Sequence, residues 1–406
     1  MRGTPVVAVG AARTPVGARN GGLAGWHAAD LLAEVLDALV RRPGLDPATV
    51  DEVLVGCASP VGDQGANVAR NAVLAAGWPE SVPATTLDAQ GASSLRALAL
   101  AAGAIGSGAA EVVVAAGVEV SSTTPAGAWV PSARQPFGPR MVSRYAGVGG
   151  LVPPGVAAEA LAERRGLDRD NLDAWVAESR RRARSAARVG PDPQMVAVRA
   201  KGWDRERRQV VVDDGCVQAD ELVGASRDGG SPPGADAVES RPMFVPGGRL
   251  TAAHCAPAAD AAAAVVLMGE ERAQGLGLDP LARVVATAAA AVDPVRMLGA
   301  VVPATTTALS RAGLAATGVD RFEVDECFAP VTLDWMAELG LGPQRVNVDG
   351  GALARGLAPG AEGVAMVARL VHRLAEGRGR YGVAALGGLG GTGAAVVVEG
   401  MGDGRA

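Results

Sequence analysis

The chain has 406 residues, which is enough for two or three domains or for one large composite fold. Hydrophobic residues make up 49% and charged residues 20%, a composition typical of a globular protein and not of a disordered one. The formal net charge of −5, without a basic stripe, excludes a typical nucleic-acid-binding domain. The longest apolar runs, 97–110 and 255–268, are shorter than the roughly 20 residues of a membrane-spanning helix.

The four cysteines and three histidines are scattered along the chain. Their spacing matches neither a disulfide framework nor a zinc site, so we expect no metal and a reducing, cytoplasmic environment. The first residues contain one arginine and a short apolar stretch that ends at Pro15, which is not the pattern of a signal peptide.

Strand and helix signals alternate from the beginning of the chain. Residues 6–11 are apolar and Val-rich, as in a buried strand, and residues 30–40 have apolar side chains at helical spacing. The same reasoning predicts a strand over 52–57, a helix over 94–105, and a turn with a buried strand over 108–117. Alternation of this kind predicts an α/β fold with mostly parallel sheets.

The end of the chain repeats this order. Residues 313–330 share with residues 44–60 a Gly-Leu pair, then Val-Asp, then an alternating strand, and a helix and strand over 363–388 match those over 94–117. We therefore predict a two-fold internal repeat. The predicted units are an N-terminal half (1–122), an inserted loop or lid domain rich in Pro, Gly and charge (123–250), a return to the N-terminal half (251–279), and a C-terminal half (280–406).

Several segments resemble, in the same order, those of the thiolase superfamily. They are AARTPVGARNGGL, DEVLVGC, LTAAHCAPAADAAAAVVLM, FEVDECFAP, VNVDGGALARGLAPGAEG and YGVAALGGLGGTG. The resemblance covers nearly the whole chain. It implies the thiolase fold, in which two duplicated mixed-sheet α/β halves form five layers, α-β-α-β-α, with an inserted loop domain. It also implies a homo-oligomer, a dimer or a tetramer.

The resemblance also implies where the reacting groups belong. Thiolases use a nucleophilic cysteine, a second cysteine that moves a proton, a histidine, and a water held by an asparagine. In this sequence the corresponding positions are Gly91, Gly387, Leu357 and Asp325 respectively, and Ala256 stands where a serine contacts pantetheine. Glycine and leucine supply no reacting group. We therefore predict a degenerate active site in a thiolase-like protein without the usual thiolase activity, one that binds an acyl-CoA or acyl-carrier thioester as a non-catalytic or accessory member of an acyl-transfer pathway.

The alternative is a repurposed acyltransferase or carbon–carbon lyase or ligase of acyl-thioester metabolism. It would use Asp325, His254 or Cys327 in place of the cysteine chemistry. Each of these residues also has a plain structural interpretation. Asp325 can replace a water-binding amide, Cys327 can pack as a small hydrophobe, and His254 can be a hydrogen-bonded residue of the tunnel wall.

The run SRRRARS lies in a predicted helix of the inserted region, near which thiolases bind the phosphates of coenzyme A. Its residues Arg180, Arg181 and Arg182 can clamp a phosphate or a carrier-protein surface, or they can form a solvated helix face. We expect no tightly bound cofactor, and a coenzyme A or phosphopantetheine thioester as ligand. A heteromeric enzyme partner is a further expectation, whereas nucleic acid and membrane are not expected as partners.

Overall fold

The computed structural model describes residues 3–128, 136–189, 192–204, 209–225 and 241–401. The strands are β1 (Val6–Arg13), β2 (Gly17–Ala18), β3 (Glu52–Gly56), β4 (Ala84–Leu87), β5 (Val112–Val120), β6 (Val198–Asp204), β7 (Gln209–Val217), β8 (Ala259–Gly269), β9 (Ala282–Ala291), β10 (Arg321–Val324), β11 (Tyr381–Gly388) and β12 (Thr392–Gly400). The helices are α1 (Ala28–Arg41), α2 (Val68–Ala75), α3 (Ser93–Gly106), α4 (Pro139–Tyr145), α5 (Pro154–Arg164), α6 (Arg169–Ala187), α7 (Glu221–Ala225), α8 (Glu270–Gly275), α9 (Val301–Ala312), α10 (Ala329–Leu339), α11 (Ala352–Arg355) and α12 (Pro359–Ala375).

The large sheet repeats one strand pattern twice. Its order is β10-β11-β12-β9-β1-β8-β5-β3-β4, with β2 paired to β8. In the first half β1 and β5 are antiparallel to β8, and β3 is parallel to β5. In the second half β9 and β11 are antiparallel to β12, and β10 is parallel to β11. The two halves therefore have the same topology, as the internal repeat predicts.

The two halves meet along a short seam. Strands β1 and β9 pair antiparallel over three residues only, Val6–Ala8 against Ala282–Val284. Strand β8 lies between β1 and β5, so the chain returns to the first half of the sheet after the region that contains α4–α7. The exact domain boundaries given above stay a prediction.

Three apolar cores separate the layers of the fold. The first lies between α1, α2 and the strands of the first half, and the third lies between α9, α10 and the strands of the second half. The second core joins α3 and α12 to strands of both halves. The layers of the fold therefore alternate in the order helices, sheet, helices, sheet, helices. This order confirms the expected thiolase fold class.

The middle of the chain contributes helices α5 and α6 and the β6–β7 hairpin. Helix α6 begins with a capping box, in which Asp168 accepts a hydrogen bond from the N–H of Asn171 at 2.9 Å and the Asn171 side chain accepts one from Asp168. This satisfies amide groups that a helix start leaves free. Within the described residues, no helix is long and apolar enough to span a membrane.

Candidate functional site

Gly91 and Gly387 bring together two loops that lie far apart in the sequence. Gly91 lies in the turn between β4 and α3, and Gly387 lies near the end of β11. A Cβ atom at Gly91 would approach the carbonyl oxygen of Gly387 to less than 3.0 Å, a distance that real Cβ atoms essentially never show. The backbone of Gly387 therefore occupies the space that a side chain at position 91 would need.

Asp325 is the carboxylate of this site. It follows β10 and is 2% exposed. Its Oδ2 accepts the N–H of Gly387 at 3.0 Å, and its Oδ1 accepts the N–H of Cys327 at 2.9 Å. Burial raises the pKa of this carboxyl above its ordinary value, although the two backbone donors oppose the shift. Both oxygens of this carboxyl group therefore accept hydrogen bonds from the backbone of the site.

Cys327 is the thiol next to this carboxylate. Burial, together with the charge and hydrogen bond of Asp325, raises the pKa of the Cys327 thiol well above its usual value. The resting thiol therefore keeps its proton, and a base must remove that proton before the sulfur can attack a ligand. The structure thus brings two of the predicted candidates, Asp325 and Cys327, into one pair.

Glu326 points to the opposite side of the loop, as adjacent residues in extended backbone do. Its carboxylate accepts hydrogen bonds from Ser179 Oγ at 2.8 Å, from Asn347 Nδ2 at 3.2 Å and from the N–H of Leu353 at 3.0 Å. Burial raises the pKa of Glu326 to about 7, against these donors. Glu326 ties α6 and α11 to the site loop and is not part of the Asp325–Cys327 pair.

His254 is fully buried and uses both ring nitrogens within the protein. Its Nδ1 accepts the N–H of Thr251 at 3.0 Å, and its Nε2 lies 2.7 Å from Oδ1 of Asp173 on α6. Burial lowers the pKa of this imidazole, and Asp173 opposes the shift. Both ring nitrogens are therefore hydrogen-bonded within the protein, and the Asp173 partner could not be predicted because it lies 81 residues away.

The segment that follows His254 borders the site through its backbone. Ala256 donates its N–H to the carbonyl of Cys327 at 3.0 Å, and Ala259 donates to the carbonyl of Leu357 at 3.0 Å. Leu357 in turn donates to Pro257 at 2.7 Å. Leu357 and the Cys327 loop therefore flank the same short segment, as the family positions predict.

The three predicted phosphate-binding arginines lie on α6, and each of them has an interaction partner in the protein. Arg181 and Arg182 both bond Glu178, and Arg182 also donates to the carbonyl of Val346 at 2.5 Å. Arg180, which also has an interaction partner, lies beside them on α6. The predicted role of these residues in binding coenzyme A, and that of Ala256, stays a prediction.

Of the remaining cysteines, only Cys255 lies beside the site among the described residues, because it pairs with Phe328 in an isolated β-bridge. Cys57 is buried in the first core, Cys216 is exposed on β7, and Cys255 donates its thiol hydrogen to Thr251 at 3.4 Å. Among the residues that the structure describes, no group of three or more His, Cys, Asp or Glu side chains is arranged to hold a metal ion.

Sequence reasoning missed a cluster of arginines around Asp220. Arg13 at the end of β1 and Arg355 at the end of α11 both bond this aspartate, which lies just before α7. The sequence does contain a signal for it, because Arg13 ends an otherwise apolar, buried strand. A buried arginine needs a carboxylate partner, but the sequence does not say which one.

Comparison with known proteins agrees with this architecture. Residues 6–271 match the thiolase N-terminal domain, and residues 278–400 match the thiolase C-terminal domain. The chain has two duplicated α/β halves, and loops of both halves build the site. This is the class of proteins to which thiolases belong. The chain belongs to the thiolase family.

Relatives of known name are similar over nearly the whole chain. A steroid 3-ketoacyl-CoA thiolase of Mycobacterium tuberculosis is 34% identical, with 98% of this chain and 94% of the relative covered. An acetyl-CoA acetyltransferase of Cupriavidus necator is 37% identical, covering 98% and 99% of the two chains. A 3-ketoacyl-CoA thiolase of Aeromonas hydrophila is 34% identical, covering 94% and 95%.

These relatives correct the functional expectation. The prediction of a degenerate, non-catalytic thiolase-like protein, with a repurposed enzyme as its alternative, is wrong. That prediction depended on the residue types at four positions, Gly91, Asp325, Leu357 and Gly387. The similarity to the named relatives, in contrast, extends over nearly all of the chain. The finding against the prediction is that relatives at 34–37% identity are named as acetyl-CoA acetyltransferases and 3-ketoacyl-CoA thiolases, which are names of enzymes. The candidate residues Asp325, His254 and Cys327 are a separate prediction, which these relatives do not test.

Proposed function

We propose that this protein is an active acyltransferase of the thiolase class that acts on acyl-CoA thioesters. The observation that supports this most directly is the full-length similarity to relatives named as acetyl-CoA acetyltransferases and 3-ketoacyl-CoA thiolases. Because these names specify coenzyme A, coenzyme A is the proposed carrier of the acyl group in preference to a carrier protein. Thioester exchange needs no tightly bound cofactor.

Asp325 and Cys327 are the proposed reacting pair. Asp325 takes the proton of the Cys327 thiol as the sulfur attacks the thioester carbonyl, and coenzyme A leaves after that proton passes to its sulfur. The acyl group is then held as a thioester on Cys327 until an acceptor takes it. The support is the geometry, since Asp325 contacts both Cys327 and Gly387.

The experiment is an assay with acetyl-CoA, and with acetoacetyl-CoA plus coenzyme A, followed by chromatography and mass spectrometry of the thioesters. We expect turnover by the wild-type protein, an acyl adduct on the peptide that contains Cys327, and loss of both in Cys327→Ala and Asp325→Asn. Cys216→Ala is the control, because this exposed cysteine lies on β7 away from the pair.

The outcomes separate the two parts of the proposal. Absence of turnover by the wild-type protein with every thioester tested overturns the function itself. Turnover that persists in Cys327→Ala overturns only the assignment of the nucleophile.

We also propose that the protein assembles with a second copy through β4. This strand is at one end of the sheet order, its partner on one side is β3, and three of its four residues are partly exposed. An edge strand of this kind can continue its hydrogen bonding in another chain. Light scattering during gel filtration tests the mass, and Thr85→Pro should shift the protein towards the monomer.

A further inference from the structure

A cavity of about 390 Å³ lies away from the site just described. It is bounded by the end of α6, the residues around Asp220, and the end of α12 with the turn that follows it. Its volume falls within the range of small-molecule pockets. Its described lining contains none of Gly91, Asp325, Cys327 and Gly387.

The charge of this cavity is opposite to that of the whole protein. The chain has a formal net charge of −5. Among the described residues that line the cavity, arginines outnumber carboxylates. The arginines are Arg13, Arg184, Arg188, Arg355, Arg373 and Arg378, and the carboxylates are Asp192, Asp220 and Glu376. Arg184 and Arg373 also have partners outside this set, so the excess of positive charge is smaller than the difference between the two counts. Concentrated charge of one sign in a cleft attracts ligands of the other sign.

The inner wall holds its arginines in fixed positions. Asp220, which is buried, lies 2.8 Å from Arg13 and also bonds Arg355. Burial disfavours the charged carboxylate of Asp220, but the two guanidinium groups outweigh burial and keep its pKa well below the usual value. Arg13 also lies 3.2 Å from Asp192, so two carboxylates face Arg13 and Arg355, and the other positive groups of the cavity are the four arginines outside this wall.

Arg13 has a donor that this arrangement does not satisfy. Arg13 is 1% exposed. Its two terminal nitrogens donate to the carboxylates of Asp220 and Asp192 and to the carbonyl of Thr14. Its Nε has no hydrogen-bond partner within the described part of the chain. A buried donor without a partner is unfavourable, so the groups around Arg13 do not fully satisfy its guanidinium.

The rim adds further arginines. Arg373 bonds Asp349 at 2.9 Å and Glu376 at 3.1 Å, and Arg378 lies 3.2 Å from the same Glu376. Arg188, just after α6, is exposed. Guanidinium groups that line one cavity can bind an oxyanion through paired hydrogen bonds.

We propose that this cavity binds a small organic molecule that bears a multivalent oxyanion, either a diphosphate or a polycarboxylate. Apolar side chains on its wall, Val189, Met195 and Val223, would contact the carbon part of such a molecule.

Isothermal titration calorimetry with pyrophosphate and with citrate tests the proposal on the full chain, without any thioester present. We expect saturable binding of at least one of these anions at one site. Binding should weaken by about tenfold or more in Arg188→Gln/Arg378→Gln, since each substitution removes a charged hydrogen-bond donor from the cavity. Arg380→Gln is the matched control, because this exposed arginine lies near Arg378 but outside the lining.

Each result decides the matter. Binding of pyrophosphate alone identifies a phosphate site, and binding of citrate alone identifies a carboxylate site. Failure of both anions to bind at about 10 mM, or equal binding by the double variant and by Arg380→Gln, overturns the proposal. This measurement contains no thioester, so its outcome does not depend on whether the proposed acyltransferase activity is found.

Discussion

At the scale of single residues, the contact between Gly91 and Gly387 sets the shape of the site. The family resemblance predicted which residues occupy these positions, and the structure brings three of them, Gly91, Asp325 and Gly387, together. The resemblance could not reveal that the Gly387 carbonyl lies where a side chain at position 91 would go. That arrangement depends on the backbone course of two loops almost 300 residues apart.

Gly91→Ala should therefore destabilise the protein. The added methyl group meets the Gly387 backbone, which must shift, and overpacking of this kind costs about 1–3 kcal/mol. The measurement is urea unfolding. Gly103→Ala, on the exposed face of α3 with open space around its Cβ position, should instead stabilise by about 0.5–1 kcal/mol. If the two variants behave alike, the two loops are not in firm contact.

Glu326 should make stability depend on pH. Its pKa is about 7 in the folded protein, against 4.5 ordinarily, so between these values the folded chain retains a proton that the unfolded chain releases. The contribution of this group is complete below about pH 4.5 and is lost as the pH rises to about 7.

The measurement for Glu326 is the free energy of unfolding at pH 4.5 and at pH 7.5. Relative to Glu326→Gln, the wild-type value should fall by on the order of 3 kcal/mol over this interval. Glu34→Gln, on an exposed position of α1, is the control. A constant difference between wild type and Glu326→Gln across the interval would contradict the assignment.

At the scale of elements, local signals and long-range pairing differ in how well they could be predicted. Helix α1 was predicted as 30–40 and spans Ala28–Arg41, because its apolar side chains recur at helical spacing. Strand β3 was predicted as 52–57 and spans Glu52–Gly56. The partners of His254 and Glu326 on α6 could not be predicted, since they depend on how the middle of the chain packs against the second half.

Helix α12 is fastened to β10 by a buried arginine. Arg369 bonds Glu323 of β10 at 3.0 Å and Glu362 of its own helix at 2.8 Å. Arg369→Gln leaves two buried carboxylates without their cation, which should cost about 3–5 kcal/mol at neutral pH. Thermal unfolding measures the effect. Arg380→Gln removes an exposed arginine bound to Glu399 and should leave the melting temperature unchanged; an equal loss in both variants would contradict the role of burial.

At the scale of the whole molecule, the internal repeat was readable because both halves keep the same order of strand and helix. Its consequence is a shared core, in which α3 from the first half and α12 from the second pack in one layer. The joining of the two sheets through β1 and β9 could not be read from the sequence, because only three residues on each side take part.

The shared core predicts that neither half folds alone. A chain divided between Gly277 and Leu278, in the loop before β9, should give two fragments that unfold or aggregate separately. When the fragments are expressed together, they should form a complex with a single cooperative thermal transition, because the second core then closes. Circular dichroism of each fragment and of the mixture measures this. A cooperative transition in the isolated C-terminal fragment would contradict the prediction.

The closed contact between the two glycines also restricts the routes by which this sequence can change. A single substitution that adds a side chain at Gly91 meets a backbone, which no neighbouring rotamer can relieve. The same substitution becomes tolerable only after the end of β11 has moved. The two positions therefore form an epistatic pair, and the order in which mutations arise determines whether a new group at position 91 is accessible to evolution or to directed selection.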